Sequence, residues 1–166
     1  LDIGAISSSL VVYGKGQQFF TRDLPIGGHN FIKEVCDKKE ISYTDAQDLL
    51  FREGLNSLKK GSETNPSDVV GIAERTVFDN LVEDLRRSLR FYGKQTGQSF
   101  FLKIFLTGGG AETVGLSDFI TEKLNIDCAI LDPFENLDGS EKLSITNKSQ
   151  FTTALGLGIR GGMSVE

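Results

Sequence analysis

A chain of 166 residues with a formal net charge of −5 has room for one domain and a sizeable core, and its acidic balance argues against a nucleic-acid or anionic-membrane surface. No apolar run approaches the roughly 20 residues that span a bilayer, and the opening residues do not read as a secretory signal. Cys36 and Cys128 lie far apart without metal-ligand spacing, so two free, mostly buried thiols in a reducing cytosol are expected.

In chain order, Leu1-Asp2-Ile3-Gly4 reads as the end of a strand whose beginning is missing, so a fragment of a longer protein is expected. Ser9 to Tyr13 is β-rich, Gly14-Lys15-Gly16 is a hairpin turn, and Gln17 to Leu24 alternates as a third strand. Pro25-Ile26-Gly27-Gly28 breaks it. His29, with no catalytic partner in view, starts a helix to Lys38 that buries Phe31, Ile32 and Val35. A second helix begins near Ser42 with Thr44 as N-cap and Ala46, Leu49 and Leu50 on its apolar side. Asn56 to Asp68 is a loop. From Asp68 to Tyr92 the residues Val70, Ala73, Val77, Leu81, Leu85, Ser88, Leu89 and Tyr92 form one helical stripe, with the charges between them on a solvated face.

Phe100 to Leu106 is an apolar strand that stops at Gly108-Gly109-Gly110. A helix over Leu116 to Leu124, a strand over Cys128 to Leu131 and a final helix over Ala154 to Arg160 follow, with a polar loop from Glu135 to Lys148. The order βββα, a helical insertion, then βαβα predicts an α/β fold: a mixed five-stranded sheet with helices packed against it.

Two strand ends carry chemistry. Glycines at the carboxyl end of a strand, just before a helix, let a nucleotide lie against the main chain, although a turn needed only for packing has the same composition. The triplet is neither a P-loop nor a G-x-G-x-x-G fingerprint. At the first strand, Asp2 can hold a Mg²⁺-bound water, while the backbone of Gly4 and Ala5 and the Ser7 hydroxyl approach phosphate oxygens.

With Ala154-Leu155-Gly156-Leu157-Gly158 behind them, these segments resemble the second half of the actin-like (ribonuclease H-like) ATPase fold. Asp2 to Ser9 is similar to its second phosphate motif, Leu106 to Gly115 to its adenosine motif, and Thr153 to Gly158 to its second connecting helix. Within that superfamily the chain resembles the PilM family of type IV pilus assembly proteins. The resemblance is carried by Arg22-Asp23-Leu24-Pro25-Ile26-Gly27-Gly28, Ala46, Arg87-Ser88-Leu89-Arg90-Phe91-Tyr92, Leu106-Thr107-Gly108-Gly109-Gly110, Asp132-Pro133-Phe134 and Ala154 to Arg160. It implies that residues 1–39 and 68–166 form the core of a second lobe, that 40–67 form a small helical insertion, and that the first lobe is absent from this chain.

The resemblance also implies ATP or ADP with Mg²⁺ bound between the lobes: Asp2, Gly4, Ala5 and Ser7 on the phosphate side, Gly108, Gly109, Gly110 and Glu112 on the adenosine side. It further implies a cytoplasmic location held at the inner membrane through partners: a PilN-type tail on the first lobe, pilus motor ATPases and further copies of the protein. Two departures bear on affinity. Where the family's ribose-facing helix carries Glu-x-x-Lys, this chain has Gln47 and Leu50, and Glu112 stands where DnaK-type chaperones place an adenine-stacking arginine. Three functions stay open: a nucleotide-binding scaffold with little turnover, a true ATPase, and an interaction module with a degenerate cleft. No catalytic residue is assigned to this half.

Overall fold

The computed structural model describes residues 1–14, 16, 19–58, 75–98 and 100–162. Strands β1 (Asp2–Ile3), β2 (Ser8–Val12) and β3 (Phe20–Leu24) form an antiparallel meander, with Asp2 opposite Ser9 and Ser9 opposite Asp23. Strands β4 (Ile104–Leu106) and β5 (Cys128–Ile130) pair in parallel. A parallel bridge between Asp2 and Thr107 ties the two sheets together. In it Ile3 N–H donates to the Thr107 carbonyl at 2.7 Å and Thr107 N–H to the Leu1 carbonyl at 2.8 Å. The result is the expected mixed sheet, in the order β3-β2-β1-β4-β5.

Strand alternation sends Ile3, Leu10, Val12, Leu24, Ile104 and Leu106 into one core. Helices α1 (Gly28–Lys39) and α3 (Val77–Thr96) contribute Phe31 and Phe78, whose ring centroids lie 4.5 Å apart, and α4 (Leu116–Leu124) contributes Leu116 and Ile120. Burying an aromatic pair of this kind contributes about 0.5–1.5 kcal/mol beyond its area. Helix α2 (Tyr43–Glu53) adds Ala46 and Leu50 to the same core.

Several boundaries differ from expectation for local reasons. Ser42, not Thr44, caps α2, because its hydroxyl accepts the Asp45 N–H at 3.2 Å. Helix α3 begins at Val77 rather than Asp68. Thr76 and Asp79 form a reciprocal capping box there, and the Val77 N–H donates to Glu34. Burial pushes the Asp79 carboxyl up, but its hydrogen bonds from Thr76, together with the nearby charges of Lys123 and Arg75, hold it below the ordinary value. The expected contributions of Val70 and Ala73, most of the Asn56–Asp68 loop and part of the Gly14–Gly16 turn lie outside the described residues. Strand β4 is shorter than the apolar run before it: Phe100 and Leu102 are 65% and 81% exposed. The closing helix α5 (Thr152–Gly162) buries none of its residues. Among the described residues no helix is long and apolar enough to cross a membrane.

Candidate functional site

The carboxyl end of β4 and the end of β1 meet at one edge of the sheet, and glycine makes the approach possible. Gly108 sits at φ +85°, and a Cβ there would collide with Asp2 Oδ1 and the Ile3 carbonyl. At Gly110 a Cβ would lie 2.5 Å from Ile3 Cγ2. Both glycines are therefore demanded by packing against β1. Gly109 is not: a Cβ on it meets nothing within 4 Å, and it faces solvent.

The β1–β2 connection lies beside this turn. The first amides of α1 point back into it, Gly28 N–H donating to the Gly4 carbonyl at 2.9 Å and His29 N–H to the Ala5 carbonyl at 2.7 Å. Gly27 closes the junction, since a Cβ on it would sit 2.6 Å from Ile6 C. The Gly4 and Ala5 carbonyls are thus taken by the helix, and the Ser7 carbonyl accepts the Gly4 N–H at 3.0 Å. Among the described residues the Ala5, Ile6 and Ser7 N–H groups reach no acceptor, and all three residues are exposed. Exposed amides without an acceptor are free to meet an anion. Ser8, buried, instead ties β2 to the Ile26 carbonyl through its hydroxyl at 2.6 Å.

A third segment reaches the same edge. Thr153 of α5 donates to Asp2 Oδ2 at 3.3 Å. Just before it, the buried Ser149 binds the glycine turn: its carbonyl accepts the Gly108 N–H at 3.0 Å. Its hydroxyl lies 3.0 Å from the Gly108 carbonyl and 3.1 Å from Glu112 Oε1, with one proton to give to either. Glu112 is thereby held against Ser149. Ser149 had no signal in the sequence, where it closes an unremarkable polar loop.

The Asp132-Pro133-Phe134 segment anchors this arrangement from β5. Lys148 Nζ donates to Asp132 Oδ2 at 2.7 Å and the Phe134 N–H to Oδ1 at 2.9 Å. The Lys148 hydrogen bond, then the Phe134 amide, hold the Asp132 carboxyl below its ordinary value. A cavity of about 300 Å³ opens between this pair and Glu112, Asn147 and Ser149.

The remaining site residues lie apart. Leu50 is 5% exposed and belongs to the core, whereas Gln47 is half-buried. Helix α2 still abuts the glycine segment, because Leu55 N–H, just beyond its end, donates to the Val114 carbonyl at 3.0 Å. His29 is the second residue of α1, stacked on Tyr43 at 5.4 Å with Nδ1 3.1 Å from its hydroxyl. Among the described residues no three His, Cys, Asp or Glu cluster to hold a metal ion. One carboxylate, free amides and a glycine cradle do suit Mg²⁺ carried in on phosphates, which keeps several of its waters.

A mixed sheet with a tight loop after β1 and a glycine turn after β4, flanked by helices, is the fold of the actin-like ATPases, and solved structures share it. The PilM–PilN type IV pilus biogenesis complex aligns at 24% identity and a TM-score of 0.69 over 98% of this chain and 45% of that one. Ethanolamine utilization protein EutJ from Carboxydothermus hydrogenoformans aligns at 18% and 0.58, over 93% and 45%. MreB 5 of Spiroplasma citri, bound to AMPPNP, aligns at 16% and 0.53, over 98% and 54%. The chain thus spans about half the length of these relatives. The family of type IV pilus assembly protein PilM matches residues 1–162, and the chain belongs to it.

Proposed function

We propose that this chain is one wall of a nucleotide cleft in a scaffold for type IV pilus assembly, with the opposite wall supplied by a first lobe. The observation that carries the reading is the convergence of Asp2, the exposed, unpaired amides of Ala5 to Ser7 and the Gly108–Gly110 turn at one sheet edge. The Ala5 and Ser7 amides and the Ser7 hydroxyl hold the phosphates. Asp2 orients a Mg²⁺-bound water, and Thr153 fixes the Asp2 carboxylate. Gly4, Gly108 and Gly110 let the backbone come close, and Gly109 leaves open the space the nucleoside enters. Mg²⁺, when bound, neutralises phosphate charge.

Affinity for the nucleoside is modest in this reading. Gln47 offers a neutral hydrogen bond, contributing about 0.5–1.5 kcal/mol where a charged one contributes about 1.5–3. Leu50 is committed to the core, and Glu112 is engaged by Ser149. The insertion proposed at 40–67, of which residues 40–58 are described, lies over the ribose, and the remainder forms the lobe core. Helix α5, with Leu157 63% exposed, meets the first lobe, so cleft closure moves it. We infer that closure, not turnover, is the output, and that a PilN-type tail on the first lobe reads it at the cytoplasmic face of the inner membrane.

Calorimetric titration of the intact protein with Mg²⁺–ATP, followed by phosphate release with and without the PilN-type partner, tests this. One ATP bound per chain, weakened about tenfold or more by Asp2→Ala, with slow release is the expected result. Absence of binding would overturn the cleft. Steady turnover abolished by Asp2→Ala would make the protein an ATPase instead.

A further inference from the structure

At the other end of β4, a cavity of about 480 Å³ runs between the last turns of α3 and the end of α4. Its floor is apolar, made by Leu89, Phe101, Leu124 and Ile126. Its charged lining is entirely cationic: Arg86, Arg90 and Lys94, spaced four residues apart on one face of α3. In a chain of net charge −5, a groove lined by three cations and no carboxylate is a local reversal of sign.

Part of this charge has a structural use. Arg86 pairs with Glu83 and donates through Nη2 to the Lys123 carbonyl at 2.7 Å, which caps the carboxyl end of α4. Arg90 and Lys94 have no such use: both are exposed, and among the described residues neither forms an ion pair. Within their segment Ser88, Leu89 and Tyr92 are buried, so packing accounts for them and leaves Arg90 unexplained. Phe91 and Phe100 are also exposed.

We propose that this groove docks an acidic amphipathic segment of a protein partner, its apolar side chains on the Phe101–Leu124 floor and its carboxylates on Arg90 and Lys94. The concavity is of the size and apolarity that seat side chains. Complementary charge then sets orientation and speeds encounter. A bilayer fits less well, because it presents a plane to a groove and would be repelled by the acidic remainder of the chain.

The test is selection of a random short-peptide library on the intact protein, repeated with the double variant Arg90→Glu, Lys94→Glu. Recovered peptides that combine Asp or Glu with Leu or Phe, bind less tightly as salt rises and lose about tenfold in affinity for the double variant are expected. Unchanged melting of that variant confirms that the loss is local. No enrichment, peptides without acidic bias, or binding indifferent to the charge reversal would overturn the proposal. Phosphatidylglycerol vesicles bound by the protein and lost in the variant would assign the groove to a membrane. Self-association lost in the variant would assign it to a second copy. Either result overturns the peptide reading.

Discussion

The two ends of β4, with Phe101 before it and Gly108 after it, are built on opposite terms. At the carboxyl end, main chain lies against main chain, and Gly108 and Gly110 exist because Ile3 and Asp2 leave no room for a Cβ. At the amino end, Phe101 opens onto long side chains, two of which, Arg90 and Lys94, carry charges that the fold leaves unused. A glycine triplet therefore mixes residues that the fold requires with one that it does not. Among the three, only Gly109 has no packing reason, so only Gly109 reports on a ligand without also reporting on stability.

Breaking the carboxyl end should be most damaging. Gly108→Ala places a Cβ at φ +85° against Asp2 and Ile3, and we expect a loss of more than about 3 kcal/mol in denaturant unfolding. Removing the Ser149 hydroxyl comes next. Ser149→Ala keeps the Gly108 N–H bond to the carbonyl and the Ser149 N–H bond to Glu112 but removes the hydroxyl shared by Glu112 and the Gly108 carbonyl, and a loss of about 1–3 kcal/mol is expected in the same assay.

These contrasts show what was legible beforehand. Strand and helix order followed from apolar periodicity, and the meeting of Asp2 with the glycine turn followed from both motifs ending strands. Periodicity failed where it continues past a boundary. The stripe through Val77 masked the Thr76–Asp79 capping box, although those four residues are the signal for a start. Leu50 shows a second limit, because a three-residue spacing with Gln47 puts two side chains near one face without saying whether that face meets core or cleft. The cations of α3 read as a solvated face, since Phe101, Leu124 and Ile126, which turn them into a groove, arrive from elsewhere in the chain.

The amino ends of β4 and β5 should respond more gently. Burial pushes the Cys128 thiol up to about 11 from 9.0. A raised folded value means that this stabilising contribution is present below the unfolded value and is lost as pH rises through about 11. Melting curves across that window should fall less steeply in Cys128→Ser. Smallest of all, Arg90→Ala and Lys94→Ala should each change stability by less than about 0.5 kcal/mol, because neither side chain holds the fold. A larger loss in thermal melts would show that the groove's charges are structural and erase the contrast between the two ends.

The central claim is that a nucleotide lies against the open middle glycine. Gly109→Val tests it most directly, because the added side chain enters empty space in the protein and the proposed nucleoside position in the cleft. Calorimetric titration of Mg²⁺–ATP into the intact wild-type and variant proteins should show about tenfold or greater weakening with a melting temperature near wild type. Equal ATP affinity in a normally folded variant, or no ATP binding by the wild type, would contradict the account.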